Sequence, residues 1–212
     1  MPPVFEPLAS LDKIRAAFLT RIPGIDVVTD RETALARLAA PHAASLRSIG
    51  FDPARLATAE QVHRDVVAVA RESRAHPGAD ALVTDVPRLA LGIYVADCAA
   101  VYLADRHGRA IGLVHSGRAG TELNITGRTI ALLHEQFGIA PADLVVHLSP
   151  CIRPPLYETD FAATIAAQAR AAGVGEFCDD NICTGREVAS YYSYRVERGR
   201  TGRMLAVLEL KS

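Results

Sequence analysis

Long apolar runs, a surplus of one charge, internal repeats and low-complexity stretches are all missing from this 212-residue chain. No segment approaches the ~20 apolar residues that a membrane span requires, so no membrane partner is expected. Basic and acidic residues number 23 and 24, for a formal net charge of -1, and without a basic surplus no nucleic-acid partner is indicated. Only 22% of the residues are charged and 50% are hydrophobic, a balance that excludes a disordered chain. The opening "MPPVFEPLASLDKIRAAFLTRIPG" lacks the basic start and unbroken apolar segment of a secretory leader. Cysteine is scarce too. Cys98, Cys151, Cys178 and Cys183 fall at irregular spacing, which reads as reduced thiols in a cytoplasmic protein.

What is present suits one globular domain spanning residues 1–212, since no linker is long enough to demand a boundary. Leu35, Leu38, Leu46 and Ile49 recur at helical spacing between Arg31 and Gly50, with Pro41 expected to split or kink the segment. "LATAEQVHRDVVAVA" reads as a hairpin that turns at Arg64 and Asp65, with His63 at the end of its first strand. "ADALVT", "RLALGIYVA", "AAVYLAD" and "AIGLVHS" are short apolar strands, the last two joined by the turn "DRHG". A helix is expected from Thr121, as N-cap, to Phe137, followed by the strand "DLVVHLSPCI" and the helix "FAATIAAQARAAG". The tail offers a short helical "REVASYY" and a last strand, "RMLAVLEL". Strands clustered between helices favour an α+β class over a doubly wound fold.

Of the seven histidines, His63, His115 and His147 stand at or near the ends of apolar strands, where a sheet rim can hold a side chain rigidly. Cys98 sits where "LGIYVAD" meets "AAVYLAD", beside Asp97. A free cysteine is most often a small buried hydrophobe. Two imidazoles and one thiolate nevertheless form a sensible ligand set for zinc or copper, although the spacing matches no standard finger or HExxH pattern. In "HSGRAGT", Gly117 and Gly120 would let the backbone approach a ligand, with a following helix and Arg118 favouring an anion. The plain alternative is an ordinary strand-to-helix turn.

"QVH" at 61–63, "ADC" at 96–98, "HSG" at 115–117, "SPCIRPPLYE" at 149–158 and "YYSYRVERGRTGRM" at 191–204 together resemble the multicopper polyphenol oxidase, or laccase-domain, family. Relatives there are described as purine nucleoside phosphorylases, and some as peptidoglycan-editing factors. The resemblance runs from about Leu56 to Leu210 and implies two β-sheets packed between outer helices, a four-layer sandwich similar to cytotoxic necrotizing factor deamidases. It also implies His63, Cys98 and His115 as metal ligands. The third motif departs from the family's "HAGWRG": Arg118 stands for the tryptophan and Ala119 for the arginine. Ala100 replaces a frequent proline, and the family's opening "SLNL"-like segment is not found.

The activity so implied is zinc-dependent phosphorolysis of a purine nucleoside such as adenosine, inosine or methylthioadenosine, with adenosine deamination as a further activity of some relatives. In that reading Asp97 orients a ligand or moves a proton, and Arg118 and Arg195 meet phosphate or ribose. The partners are then a purine nucleoside and inorganic phosphate, and the protein is a monomer or homodimer. Three other readings compete. Copper-dependent polyphenol oxidation would need many more paired histidines. A metal-free hydrolase would use Cys98 as nucleophile with His63 or His115. A non-catalytic accessory role in cell-wall maintenance would leave Cys98 dispensable.

Overall fold

The computed structural model describes residues 6–212; the first five, part of the opening stretch read for a secretory leader, lie outside it. The N-terminal half begins with α1 (Glu6–Ala9), β1 (Ile14–Leu19), α2 (Arg31–Ser48), β2 (Leu56–Ala59), β3 (Val67–Val69) and β4 (Ala75–His76). The middle holds β5 (Ala81–Thr84), β6 (Ala90–Val95), β7 (Ala99–Asp105), β8 (Ile111–Ser116), α3 (Arg118–Glu122) and α4 (Ile125–Phe137). β9 (Leu144–Leu148), α5 (Phe161–Ala171), β10 (Glu176–Asp179) and β11 (Met204–Leu210) complete the chain.

The strands form two mixed sheets, one in the order β1-β11-β6-β2-β4 and one in the order β10-β9-β7-β8-β5-β3. Their facing sides share one core, to which β11 gives Met204, Ala206 and Leu208 and β7 gives Ala100, Tyr102 and Ala104. The alternate residues of β7, Ala99, Val101 and Leu103, point the other way and meet Ile125, Ile130 and Leu133 of α4 and Ile165 of α5. On the far side, Leu46 of α2 and Phe51 cover Leu205 and Val207 of β11. The result is the α+β four-layer arrangement of helix, sheet, sheet and helix that the family resemblance implies. β7 is buried at every position, which is why its sequence shows no polar alternation. The phenol of Tyr102 donates to the carbonyl of Ala17 at 2.7 Å, tying the two sheets together through the core.

Four local expectations fail for identifiable reasons. "LATAEQVHRDVVAVA" is not a hairpin: β2 pairs in parallel with β6 and β4 in the first sheet, while β3 pairs in parallel with β5 in the second. The residues between cross from sheet to sheet, with Gln61 and His63 both at positive φ. The helix expected from Thr121 is two helices, broken where Asn124 enters the left-handed region and caps α4 by accepting from the Gly127 N–H at 3.2 Å. Thr121 spends its hydroxyl on Ser116 instead. "REVASYY" forms turns rather than a helix, its tyrosines drawn into the core. Nor does Pro41 split its segment: α2 runs as one helix through it, with the buried Leu38, His42 and Leu46 holding it against the sheet.

Candidate metal centre and its cavity

Two chain crossings between the sheets meet at one rim, and the candidate residues lie there. Cys98 stands between β6, which belongs to the first sheet, and β7, which belongs to the second. His63 lies in the other crossing, between β2 and β3. His115 is the penultimate residue of β8, opposite Ala100 of β7. Their donor atoms all lie within 4.8 Å of one another, and the two imidazole rings meet edge to face with centroids 4.8 Å apart.

A residue the sequence did not single out, Asp80, builds this arrangement. Its carboxylate accepts from the backbone N–H groups of Val62, His63 and Arg64 at 3.2, 2.9 and 2.8 Å, which fixes the crossing loop. The same carboxylate accepts from Nδ1 of His115 at 2.8 Å, and its own backbone carbonyl accepts the His115 N–H. That contact sets the tautomer and leaves the other ring nitrogen to Cys98. Gln61 supports the loop from the other side, its amide exchanging two hydrogen bonds with the backbone of Tyr94 on β6. The only sequence signal for Asp80 is one acid immediately ahead of the apolar run "ALVT".

Burial alone would push the Cys98 thiol up, but the neighbouring His115 and His63 outweigh it and bring the thiol down to about 6. His115 answers in the opposite sense: burial would lower it, and Cys98 and Asp80 raise it to about 9. A thiolate beside two imidazoles, one of them oriented by a carboxylate, fits a borderline-soft divalent ion such as zinc or copper. Gly117 contributes space: a Cβ there would come within 2.6 Å of the Cys98 sulfur. The glycine-rich loop thus makes room for the thiol, and the helix after it, α3, is only 5 residues long.

The cluster opens onto a cavity of about 850 Å³ that also takes in Asp97, Arg118 and Arg195. Asp97 is buried and saturated. Its carboxylate accepts from the hydroxyls of Thr184 and Ser193 at 2.7 and 3.0 Å and from the Arg195 N–H at 2.7 Å, so it positions the C-terminal loop. Arg195 pairs with Glu158 at 2.9 Å and lies over the ring of Tyr157, which meets Phe161 edge to face. Arg118 pairs with Glu122 at 2.9 Å and reaches Glu158 at 4.0 Å. His147 is buried away from the cavity, with Asp180 at 3.2 Å. Cys151 and Cys183 are buried free thiols, and Cys178 is half-buried.

Comparison with known proteins places these features in a lineage. The family model described as "Multi-copper polyphenol oxidoreductase laccase" matches residues 26–160 and 157–211. A Deinococcus radiodurans protein named purine nucleoside phosphorylase is 32% identical, with 92% of this chain and 88% of the relative covered. Purine nucleoside phosphorylase YlmD of Geobacillus stearothermophilus is 30% identical over 76% of this chain and 74% of its own length. The crystal structure of YlmD superposes with a TM-score of 0.83 at 25% identity, covering 95% of this chain and 93% of that one. The protein YfiH of Bacillus licheniformis, at 23% identity and a TM-score of 0.83 over 95% and 94% of the two chains, shares the fold.

Proposed function

This chain belongs to the multi-copper polyphenol oxidoreductase laccase family, and from that membership and the site geometry we propose that it is a metal-dependent purine nucleoside phosphorylase. The observation that carries the reading is the cluster of His63, Cys98 and His115 set into the wall of a cavity of about 850 Å³, a volume suited to a nucleoside. Relatives bearing the phosphorylase name support it. The substrates are adenosine, inosine or methylthioadenosine with inorganic phosphate. Adenosine deamination, in which water replaces the 6-amino group and ammonia leaves, belongs to the same reading as a second activity. The protein acts as one unit over residues 1–212, in the cytoplasm where its thiols stay reduced, as a monomer or homodimer. No helix among the described residues is long and apolar enough to cross a membrane.

In phosphorolysis a phosphate oxygen forms a bond to C1′ of the ribose while the bond from C1′ to the purine nitrogen breaks. The electron pair leaves with the base, and the proton of the hydrogen phosphate ends on the purine. A zinc ion bound by His63, Cys98 and His115 would supply a fixed positive charge beside the reacting phosphate, and copper suits the same donors. Asp80 holds His115 in its ligating tautomer. Tyr157 and Phe161 offer an apolar wall to the purine, and the ion-paired forks of Arg118 and Arg195 offer N–H groups to the ribose hydroxyls. Asp97 positions Arg195 through its backbone.

One observation favours a second reading. A thiol lowered to about 6 beside a His115 that Asp80 orients is also the arrangement of a cysteine nucleophile. The two readings separate on metal content and product. Zinc-loaded protein is incubated with each nucleoside, with and without phosphate, and free base and ribose 1-phosphate are measured by chromatography. Phosphate-dependent release that vanishes in Cys98→Ala is the expected result. Release without phosphate, from metal-free protein whose Cys98 alkylates rapidly, would replace phosphorolysis with hydrolysis.

A further inference from the structure

The cavity has two cationic flanks, and they differ in a way that bears on the phosphate. Arg118 and Arg195 face the carboxylates of Glu122 and Glu158, two acids for two bases, so that flank carries no surplus charge. Arg31 and Arg203 line the same cavity beside Gln61 and His63, and among the described residues neither has a carboxylate partner. One nitrogen of Arg31 donates to the Glu60 carbonyl at 3.1 Å, and one nitrogen of Arg203 donates to the carbonyls of Thr201 and Gly202, each at 2.9 Å. Both forks therefore keep free N–H donors.

From this uncompensated pair we infer that Arg31 and Arg203 form the subsite for inorganic phosphate, leaving Arg118 and Arg195 to the nucleoside. The inference rests on the phosphorylase reading for its role in catalysis, though not for the binding itself. Each arginine is mounted on a rigid element: Arg31 is the first residue of α2, and Arg203 immediately precedes β11. Two guanidinium groups held near one another repel. Burial and the charge of Arg31 pull the Arg203 guanidinium below its usual range; Cys98, Tyr194 and Asp97 act the other way and offset this only in part, and among the described residues no carboxylate is hydrogen-bonded to the fork. A tetrahedral dianion offsets the remainder, because planar forks match phosphate oxygens with paired, charge-assisted hydrogen bonds. Arg203 lies over the ring of Tyr194, centroid 5.9 Å away, and both side chains line the cavity. Arg31 and Arg203 line the same cavity as His63, Cys98 and His115, so the subsite shares its space with the metal-ligand cluster, where an attacking phosphate belongs.

The test titrates inorganic phosphate into the metal-loaded protein by calorimetry and follows phosphorolysis with phosphate as the varied substrate. Arg203→Met and Arg31→Met are each expected to weaken phosphate binding and raise the phosphate KM by about 10-fold or more, with the nucleoside KM within about twofold. Arg118→Met is expected to do the reverse. Arg203→Lys retains the charge without the fork and should fall between, and a thermal melt on each variant checks folding. Should Arg203→Met fail to fold, Arg31→Met on the exposed start of α2 decides. Unchanged phosphate affinity in the Arg31 and Arg203 variants, or a loss in Arg118→Met alone, overturns the subsite. Absence of base release from the unmodified protein overturns the phosphorylase reading instead, and the calorimetric titration still decides whether the two arginines bind phosphate.

Discussion

His42 and His115 are almost equally hidden, at 2% and 4% exposure, and they hold their protons in opposite ways. His42 lies on α2, with Tyr94 of the first sheet 5.9 Å away ring to ring and, among the described residues, no hydrogen-bond partner for either nitrogen. Burial pushes it down to about 4. The same burial acts on His115, but Cys98 and Asp80 reverse it and lift the ring to about 9. Depth in the fold therefore does not mark a functional group. The partners gathered around it do, and at the rim those partners come from separate crossings that share one carboxylate.

Removing the thiol breaks this contrast most severely. Cys98→Ala deletes the one soft donor and the negative charge that holds the proton on His115. Metal content by atomic emission is expected to fall from stoichiometric to trace, and base release to fall below detection. Full metal retention would mean that the two histidines bind elsewhere and that the cluster is not the centre.

His42 tests the other side of the contrast through acid stability. In the unfolded chain histidine takes up its proton near 6.5, whereas folded His42 resists until about 4. Between those values the unfolded state binds more protons. The stability tied to His42 is therefore complete above 6.5 and drains away as the pH falls toward 4, by about 2–3 kcal/mol. Replacing it by leucine should flatten this window in urea melts recorded across it. An equally steep loss in His42→Leu would assign the acid sensitivity to other groups.

These residues also show how far the sequence could be read. The apolar runs of β5 to β8 and of β11 were legible because strands buried on both faces need no polar alternation, and α5 because its apolar spacing is regular. β1 was not: "IRAAFL" carries Arg15, which reaches Glu209 on the partner strand β11 at 3.2 Å, a pairing invisible in one dimension. The crossing at Gln61 to Arg64 looked like a hairpin because propensity records strand character but not which sheet a strand joins. His63, Cys98 and His115 were placed by motif and are brought together by the fold. Asp80 and Arg31 were missed because each acts through neighbours far away in the chain, and Arg203 because only the fold shows which cavity it lines.

Asp80→Asn is the finest cut, since it keeps size and one acceptor oxygen while removing the charge that the loop and His115 share. With the amide oxygen turned to the N–H groups of Val62 and Arg64, the amide nitrogen takes the place of the oxygen shared by the His63 N–H and Nδ1 of His115, so it offers a donor to Nδ1 and can turn the ring to the wrong tautomer. Metal affinity, measured by competition with a chelator, is expected to drop about 10–100-fold, the usual effect of losing a carboxylate behind a ligating histidine. A role limited to propping the loop would lower the melting temperature and leave affinity untouched. Substituted cobalt gives an independent view, because a turned imidazole changes the visible absorption of the bound ion even where it remains bound. If neither affinity nor spectrum moves, His115 owes its orientation to Cys98 alone, and the difference from His42 reduces to one sulfur.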